Sequence, residues 1–156
     1  MVDVGGKATT SRRAVARGRV VLNAEAFAAL RDGRLSKGDA LAVARLAGIL
    51  AAKKTSEIVP LAHPLPLDAV AVDCELQTAG REVIVTATAS TAARTGVEME
   101  SLTAVAGACL AIYDMAKALD RAIEIREIVL LEKTGGRSGV YRREGAKRPW
   151  RSGSRS

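Results

Sequence analysis

The single histidine of the chain, His63, lies in Leu61-Ala62-His63-Pro64-Leu65, with Pro60 and Pro64 stiffening the backbone around it. Glu98 and Glu100 follow in Gly96-Val97-Glu98-Met99-Glu100, and Asp114 and Lys117 in Tyr113-Asp114-Met115-Ala116-Lys117. Lys37 sits in a Ser-Lys-Gly-Asp turn, and Lys133 opens the glycine-containing run Lys133 to Gly139. An imidazole, carboxylates and ammonium groups together can move protons and offset charge on a polyanion. Each group also has a plainer role. Asp114 and Lys117, three apart on one helical face, could be a surface pair worth a few tenths of a kcal/mol. Glu98 and Glu100 suit the positive end of a helix. His63 could be structural and Lys37 merely solvated, while the Lys133 run lacks the lysine–serine ending and following helix of a nucleotide loop.

The elements that must position these groups follow from periodicity. Arg13 to Leu22 alternates, with Arg13, Val15, Arg17 and Arg19 on one side and Ala14, Ala16, Val20 and Leu22 on the other, which predicts a strand with one wet face. Asn23 caps a short helix over 24–31, and an alanine-rich helix runs from about Asp39 to Lys54. Pro60, Pro64 and Pro66 force a stiff irregular loop. Val70 to Leu76 and Val83 to Ala89 form a hairpin about Ala79-Gly80. Leu102, Val105, Cys109, Ile112, Ala116 and Leu119 make the apolar stripe of a long helix from Glu98 to Arg121, and 123–131 is a closing strand. The order is β-α-α-β-β-α-β: an α+β, ferredoxin-like split β-α-β with an antiparallel four-stranded sheet and an extra helix. Glu100 and Asp114 stand 14 residues apart, so roughly 21 Å of helix separates them. Either the substrate is long or a second copy supplies half of the site.

Composition bounds the setting. At 156 residues, 48% apolar and 3% aromatic, the chain suits one aliphatic core. Residues 141–156 carry +5 of the +7 net charge, so the basic character belongs to the tail. We expect a flexible segment 1–13 that contributes to the site, a catalytic domain 14–140 and a disordered basic tail 141–156. Cys74 and Cys109 have no metal or redox spacing, no apolar run approaches 18 residues and nothing resembles a signal peptide, so a reducing cytoplasm is expected.

The motifs named above, with Asp32-Gly33-Arg34, Ala44-Arg45-Leu46-Ala47-Gly48-Ile49 and Thr95 to Ala104, occur in the order of one family. From residue 2 to about 140 the chain resembles the molybdenum cofactor biosynthesis protein C (MoaC) family of cyclic pyranopterin monophosphate synthases. That resemblance implies a hexamer, a trimer of dimers, with sites at subunit interfaces. It also implies conversion of (8S)-3′,8-cyclo-7,8-dihydroguanosine 5′-triphosphate to cyclic pyranopterin monophosphate and pyrophosphate. Asp114 then matches the catalytic acid/base, and Lys37 and Lys117 match essential lysines. Leu61, Ala62, His63, Met99 and Glu100 match substrate-contacting positions. Glu98, Arg12, Lys7, Asp3 and Lys133 join them at the pocket. Family members commonly carry cysteine where this chain has Ala62 and Ala116, which implies chemistry without a thiol.

The implied reaction requires no redox cofactor. Mg²⁺ stays open, because carboxylates are present but no coordination pattern is readable, and no spacing marks a zinc site. For proton transfer we expect a lysine whose pKa a neighbouring cation lowers beside Asp114. The alternative is a nucleic-acid-binding ferredoxin-like module working through the tail, weakened by hairpin strands without aromatics on which bases could stack. A non-catalytic structural oligomer is weakened by the specific polar clusters. Neither a nucleic-acid nor a membrane partner is expected.

Overall fold

The computed structural model describes residues 1–137 and 139–145. The elements are β1 (Thr10–Val21), α1 (Ala24–Arg31), α2 (Ala40–Lys53), α3 (Thr55–Ile58), β2 (Ala69–Gln77), β3 (Glu82–Ala93), α4 (Glu98–Ala116), β4 (Glu124–Thr134) and β5 (Tyr141–Arg142). They build one antiparallel sheet in the order β2-β3-β1-β4-β5. Because β3 pairs with both β1 and β2, it splits the β1–helix–β2 unit, as the ferredoxin-like plan requires. The sheet has one strand more than expected: residues 141 and 142, assigned above to the tail, pair with Lys133 and Glu132. Residues 146–156 of that tail, and Ser138, lie outside the described residues.

The alternation in β1 sets the core. Ala14, Ala16 and Val20 are buried on the helix side, and their β3 partners Ala89, Ala87 and Val83 share that face. Arg13, Arg17 and Arg19 point the other way, with Val15 buried among them at 1% exposure. Arg19 pairs with Glu82 and Glu127. Among the described residues the Arg17 Nε is buried with no hydrogen-bond partner.

Helix α4 crosses the sheet and α2 on small residues. A Cβ on Gly18 would lie 2.7 Å from Val105 Cγ1. One on Gly48 would lie 2.8 Å from the Ala104 carbonyl oxygen, and one on Gly107 2.6 Å from Ala51 Cβ. These three glycines let α4 sit closer to its neighbours than any side chain would permit.

Several boundaries differ from the sequence reading. α4 ends at Ala116, not Arg121. Beyond it, the nearly buried Asp120 carboxylate accepts from the Asn23 and Ala122 backbone N–H groups at 2.7 and 2.8 Å. That tie turns the chain back towards α1, where the Asn23 side chain caps α1 through Ala26 N. β1 starts at Thr10, so the segment expected to be flexible already contains strand residues, Arg12 among them. β3 and β4 run on to Ala93 and Thr134. The single turn α3 was not expected at all.

The glycine seam predicts that Gly107→Val destabilises the fold by about 1–3 kcal/mol through overpacking against α2. Urea unfolding measures this, and a midpoint equal to that of the parent protein would show that α2 and α4 can move apart.

Candidate active site

The candidate residues collect at the two ends of α4. At its C-terminal end, Gly38 adopts a left-handed φ of 96° directly after Lys37, and the Asp39 carboxylate caps α2 by accepting from Leu41 N and Ala42 N. This tight turn delivers Lys37 to the last turn of α4. Its Nζ donates to Asp114 Oδ2 at 2.6 Å and to the Asp114 main-chain oxygen at 3.1 Å. Lys117 Nζ reaches Asp114 Oδ1 at 2.7 Å. One carboxylate therefore bridges two ammonium groups.

The Lys117 and Lys37 hydrogen bonds hold the Asp114 carboxyl down at about 2, and Asp114 in turn raises the Lys117 pKa. This corrects the expectation of a lysine lowered by a neighbouring cation: in one chain the shared carboxylate outweighs the second ammonium. The cluster is also not the partly buried cleft expected. Side-chain exposure is 45% at Lys37, 54% at Asp114 and 55% at Lys117.

At the other end of α4 lie two joined cavities. The smaller, about 410 Å³, is lined by Leu61, Ala62, His63, Met99, Glu98 and Glu100, with Lys7 and the N-terminal Val2 and Val4 closing one side. Glu100, 4% exposed, has its pKa raised, mainly by burial and further by the neighbouring Glu98 charge. The larger, about 720 Å³, shares Lys7, Thr95, Gly96 and Glu98 with the first and extends past Arg12 and Lys133. Lys133 Nζ pairs with Glu98 Oε1 at 3.1 Å. Both volumes suit a small-molecule ligand.

The structure thus gathers twelve of the nominated residues into two groups. Lys7, Arg12, Leu61, Ala62, His63, Glu98, Met99, Glu100 and Lys133 line the joined cavities, and Lys37 and Lys117 meet on Asp114. Asp3 lines neither cavity; its carboxylate accepts from Gly5 N at 2.7 Å. Within one chain nothing brings the two groups together. The sequence reading missed Arg94, in the wall of the larger cavity, although it immediately precedes the Thr95-Gly96 motif. It also gave Arg137 no role of its own.

Burial pushes the Cys74 thiol to about 11 and the Cys109 thiol to about 12, and neither lines these cavities. Among the described residues no group of three or more His, Cys, Asp or Glu could hold a metal ion, and no helix is long and apolar enough to cross a membrane.

Comparison with known proteins gives a consistent picture. A family profile described as "MoaC family" matches residues 1–136. The chain is 56% identical over 144 residues to the cyclic pyranopterin monophosphate synthase of Thermomicrobium roseum, covering 92% of this chain and 87% of that protein. It is 56% identical over 142 residues to the protein of the same name from Novosphingobium aromaticivorans, covering 91% and 89%. The Heliobacterium modesticaldum protein of that name is 53% identical over 144 residues, covering 92% and 91%.

The bridged carboxylate predicts a specific titration. A folded-state pKa below the unfolded value means that the ion pairs are intact above the ordinary carboxylate range and are lost as pH falls towards 2. Carboxyl carbon NMR should therefore find Asp114 ionised at pH 3.5 (an acidity chosen from the ordinary value of about 3.9). Replacing Lys37 and Lys117 together by Met should return the midpoint to about 3.9. Titration of the unaltered protein near that ordinary value would show that the bridge does not form.

Proposed function

The chain belongs to the MoaC family, and from that premise we propose that its two residue groups are the halves of a cyclic pyranopterin monophosphate synthase site. The substrate is (8S)-3′,8-cyclo-7,8-dihydroguanosine 5′-triphosphate, and the products are cyclic pyranopterin monophosphate and pyrophosphate. The reaction is a step of molybdenum cofactor biosynthesis. The observation that carries the residue assignment is the Lys37–Asp114–Lys117 bridge, which joins residues 77 positions apart in sequence.

Opening the guanine-derived ring and closing the new one move protons on and off nitrogen and oxygen. While Asp114 holds both lysines they are charged donors, suited to negative charge developing on substrate atoms. When substrate draws Asp114 towards one lysine, the other is left beside a like charge, which lowers its pKa and makes it a base. In the last step a substrate hydroxyl oxygen bonds to the α-phosphorus and the bond from that phosphorus to the bridging oxygen breaks. The hydroxyl proton passes to the base, and pyrophosphate leaves with the bonding electron pair, eased by cationic contacts. The smaller cavity offers His63, Glu98 and Glu100 to the polar edge of the base, with Leu61, Ala62 and Met99 against its faces. No step is a redox step, and Mg²⁺ enters this reading only as a companion of the polyphosphate.

We place the reaction in a homo-oligomer, read as a hexamer of interface sites, in the cytoplasm. Several features support association of copies. The two halves sit at opposite ends of a rigid helix. The Lys37–Asp114–Lys117 cluster lies open on the single chain. Leu46, Leu50, Ile58 and Leu110 are each more than half exposed, and the Arg17 Nε lacks a partner among the described residues. The sheet face turned away from the helices carries no aromatic on β1 to β4, which leaves base stacking without a platform.

Asp114→Ala and Lys117→Ala should each lower turnover of the purified cyclised triphosphate by a factor of at least about 100, with circular dichroism unchanged. Mass spectrometry of the products measures the loss. Near-normal conversion by either variant would remove the role given to the bridge.

A further inference from the structure

The larger cavity holds more positive charge than the groups assigned so far account for. Its walls carry Lys7, Arg12, Arg94, Lys133 and Arg137 against one carboxylate, Glu98. Two of these cations are already engaged. Arg12 donates Nε to the Ala93 oxygen at 2.9 Å and Nη2 to the Arg94 oxygen at 3.2 Å, which ties the start of β1 to the end of β3. Lys133 is paired with Glu98. Lys7, Arg94 and Arg137 differ: among the described residues none of these side chains has a hydrogen-bond or carboxylate partner, and the two arginines have no role assigned above.

The backbone brings these two guanidinium groups to one cavity. The Arg12 tie fixes the main chain at Arg94. After β4, Gly135 and Gly136 take left-handed φ values of 94° and 77°. A side chain on Gly135 would collide with the Ser11 main-chain oxygen, and the left-handed φ at both positions favours glycine, which lets this loop lie against Arg12 and carry Arg137 to the cavity wall. Uncompensated like charges lining one concave surface repel each other, and an anion placed between them relieves that repulsion. The planar guanidinium fork matches phosphate oxygens two at a time, which a lysine cannot do.

We infer that Arg94 and Arg137 grip the terminal phosphates of the substrate and hold the pyrophosphate product after cyclisation. This inference rests on the function proposed above, with the base in the smaller cavity and the phosphates in the larger. Polyphosphate chemistry is the ligand class the cavity selects.

Calorimetric titration of inorganic pyrophosphate into the full-length protein tests it. Arg94→Ala and Arg137→Ala should each raise the pyrophosphate Kd about tenfold or more, the expected loss of a charge-assisted pair. Arg94→Lys should recover only part of that affinity. Thermal melting should be unchanged, because neither side chain bonds to the rest of the fold. Pyrophosphate binding that is unaltered in both variants, or that is lost only in Lys117→Ala, would overturn the assignment. The proposed function fails separately. Pyrophosphate bound through Arg94 by a protein that cannot convert the cyclised triphosphate would retain this site and remove that activity. Conversion with unaltered KM and pyrophosphate affinity in the arginine variants would do the reverse.

Discussion

A rigid rod governs everything else in this molecule. Helix α4 runs unbroken for 19 residues, so its 1.5 Å rise per residue keeps Glu100 and Asp114 roughly 21 Å apart. No loop motion can shorten that distance without melting the helix. The seam at Gly18, Gly48 and Gly107 then fixes the rod against β1 and α2. Its N-terminal end is held among the His63 loop and the ends of β1, β3 and β4, and its C-terminal end beneath the turn that carries Lys37. The fold thus serves less to enclose a pocket than to present two separate constellations at a set spacing.

The constellations differ in electrostatic character. At the N-terminal end a buried carboxyl, Glu100, is pushed towards its neutral form, and a cation-rich cavity adjoins it. At the C-terminal end an ionised carboxylate bridges two lysines in the open. Exposed ion pairs contribute little to stability, so folding alone gives small reason for a contact linking residues 77 positions apart. Covered by another protein surface, the same charges would act across a lower dielectric and gain strength. In the homo-oligomer proposed above, a second copy laid over this end of α4 would give the cluster the drier surroundings that proton transfer favours.

How much of this was legible in the sequence depended on the range of the interaction. The alternation of β1, the Asn23 cap and the stripe Val105, Cys109, Ile112 and Ala116 are local signals, and each appears where the sequence placed it. Leu119 fits the stripe equally well, yet the helix stops before it. What stops it is Asp120 reaching back to Asn23, a contact 97 residues long that no window can sense. β5 is two residues long and exists only because β4 offers it an edge. At the site, the Asp114–Lys117 pair was readable from helical spacing, whereas Lys37 joined it through resemblance alone. The direction of the Lys117 shift depended on which neighbour lay nearer, and spacing cannot decide that. Arg94, a lone arginine at a strand end, looks like any solvated cation until the cavity beside it is seen.

Subunit complementation tests the central claim most directly. Asp114→Ala damages one end of α4 and Glu100→Gln the other. If a site takes one half from each of two copies, co-expression and co-purification of the two inactive variants should restore roughly a quarter of the sites in a randomly mixed assembly. Product mass spectrometry would then detect cyclic pyranopterin monophosphate and pyrophosphate. A mixed assembly as inactive as either variant alone would place both halves of the site within one chain and contradict the account.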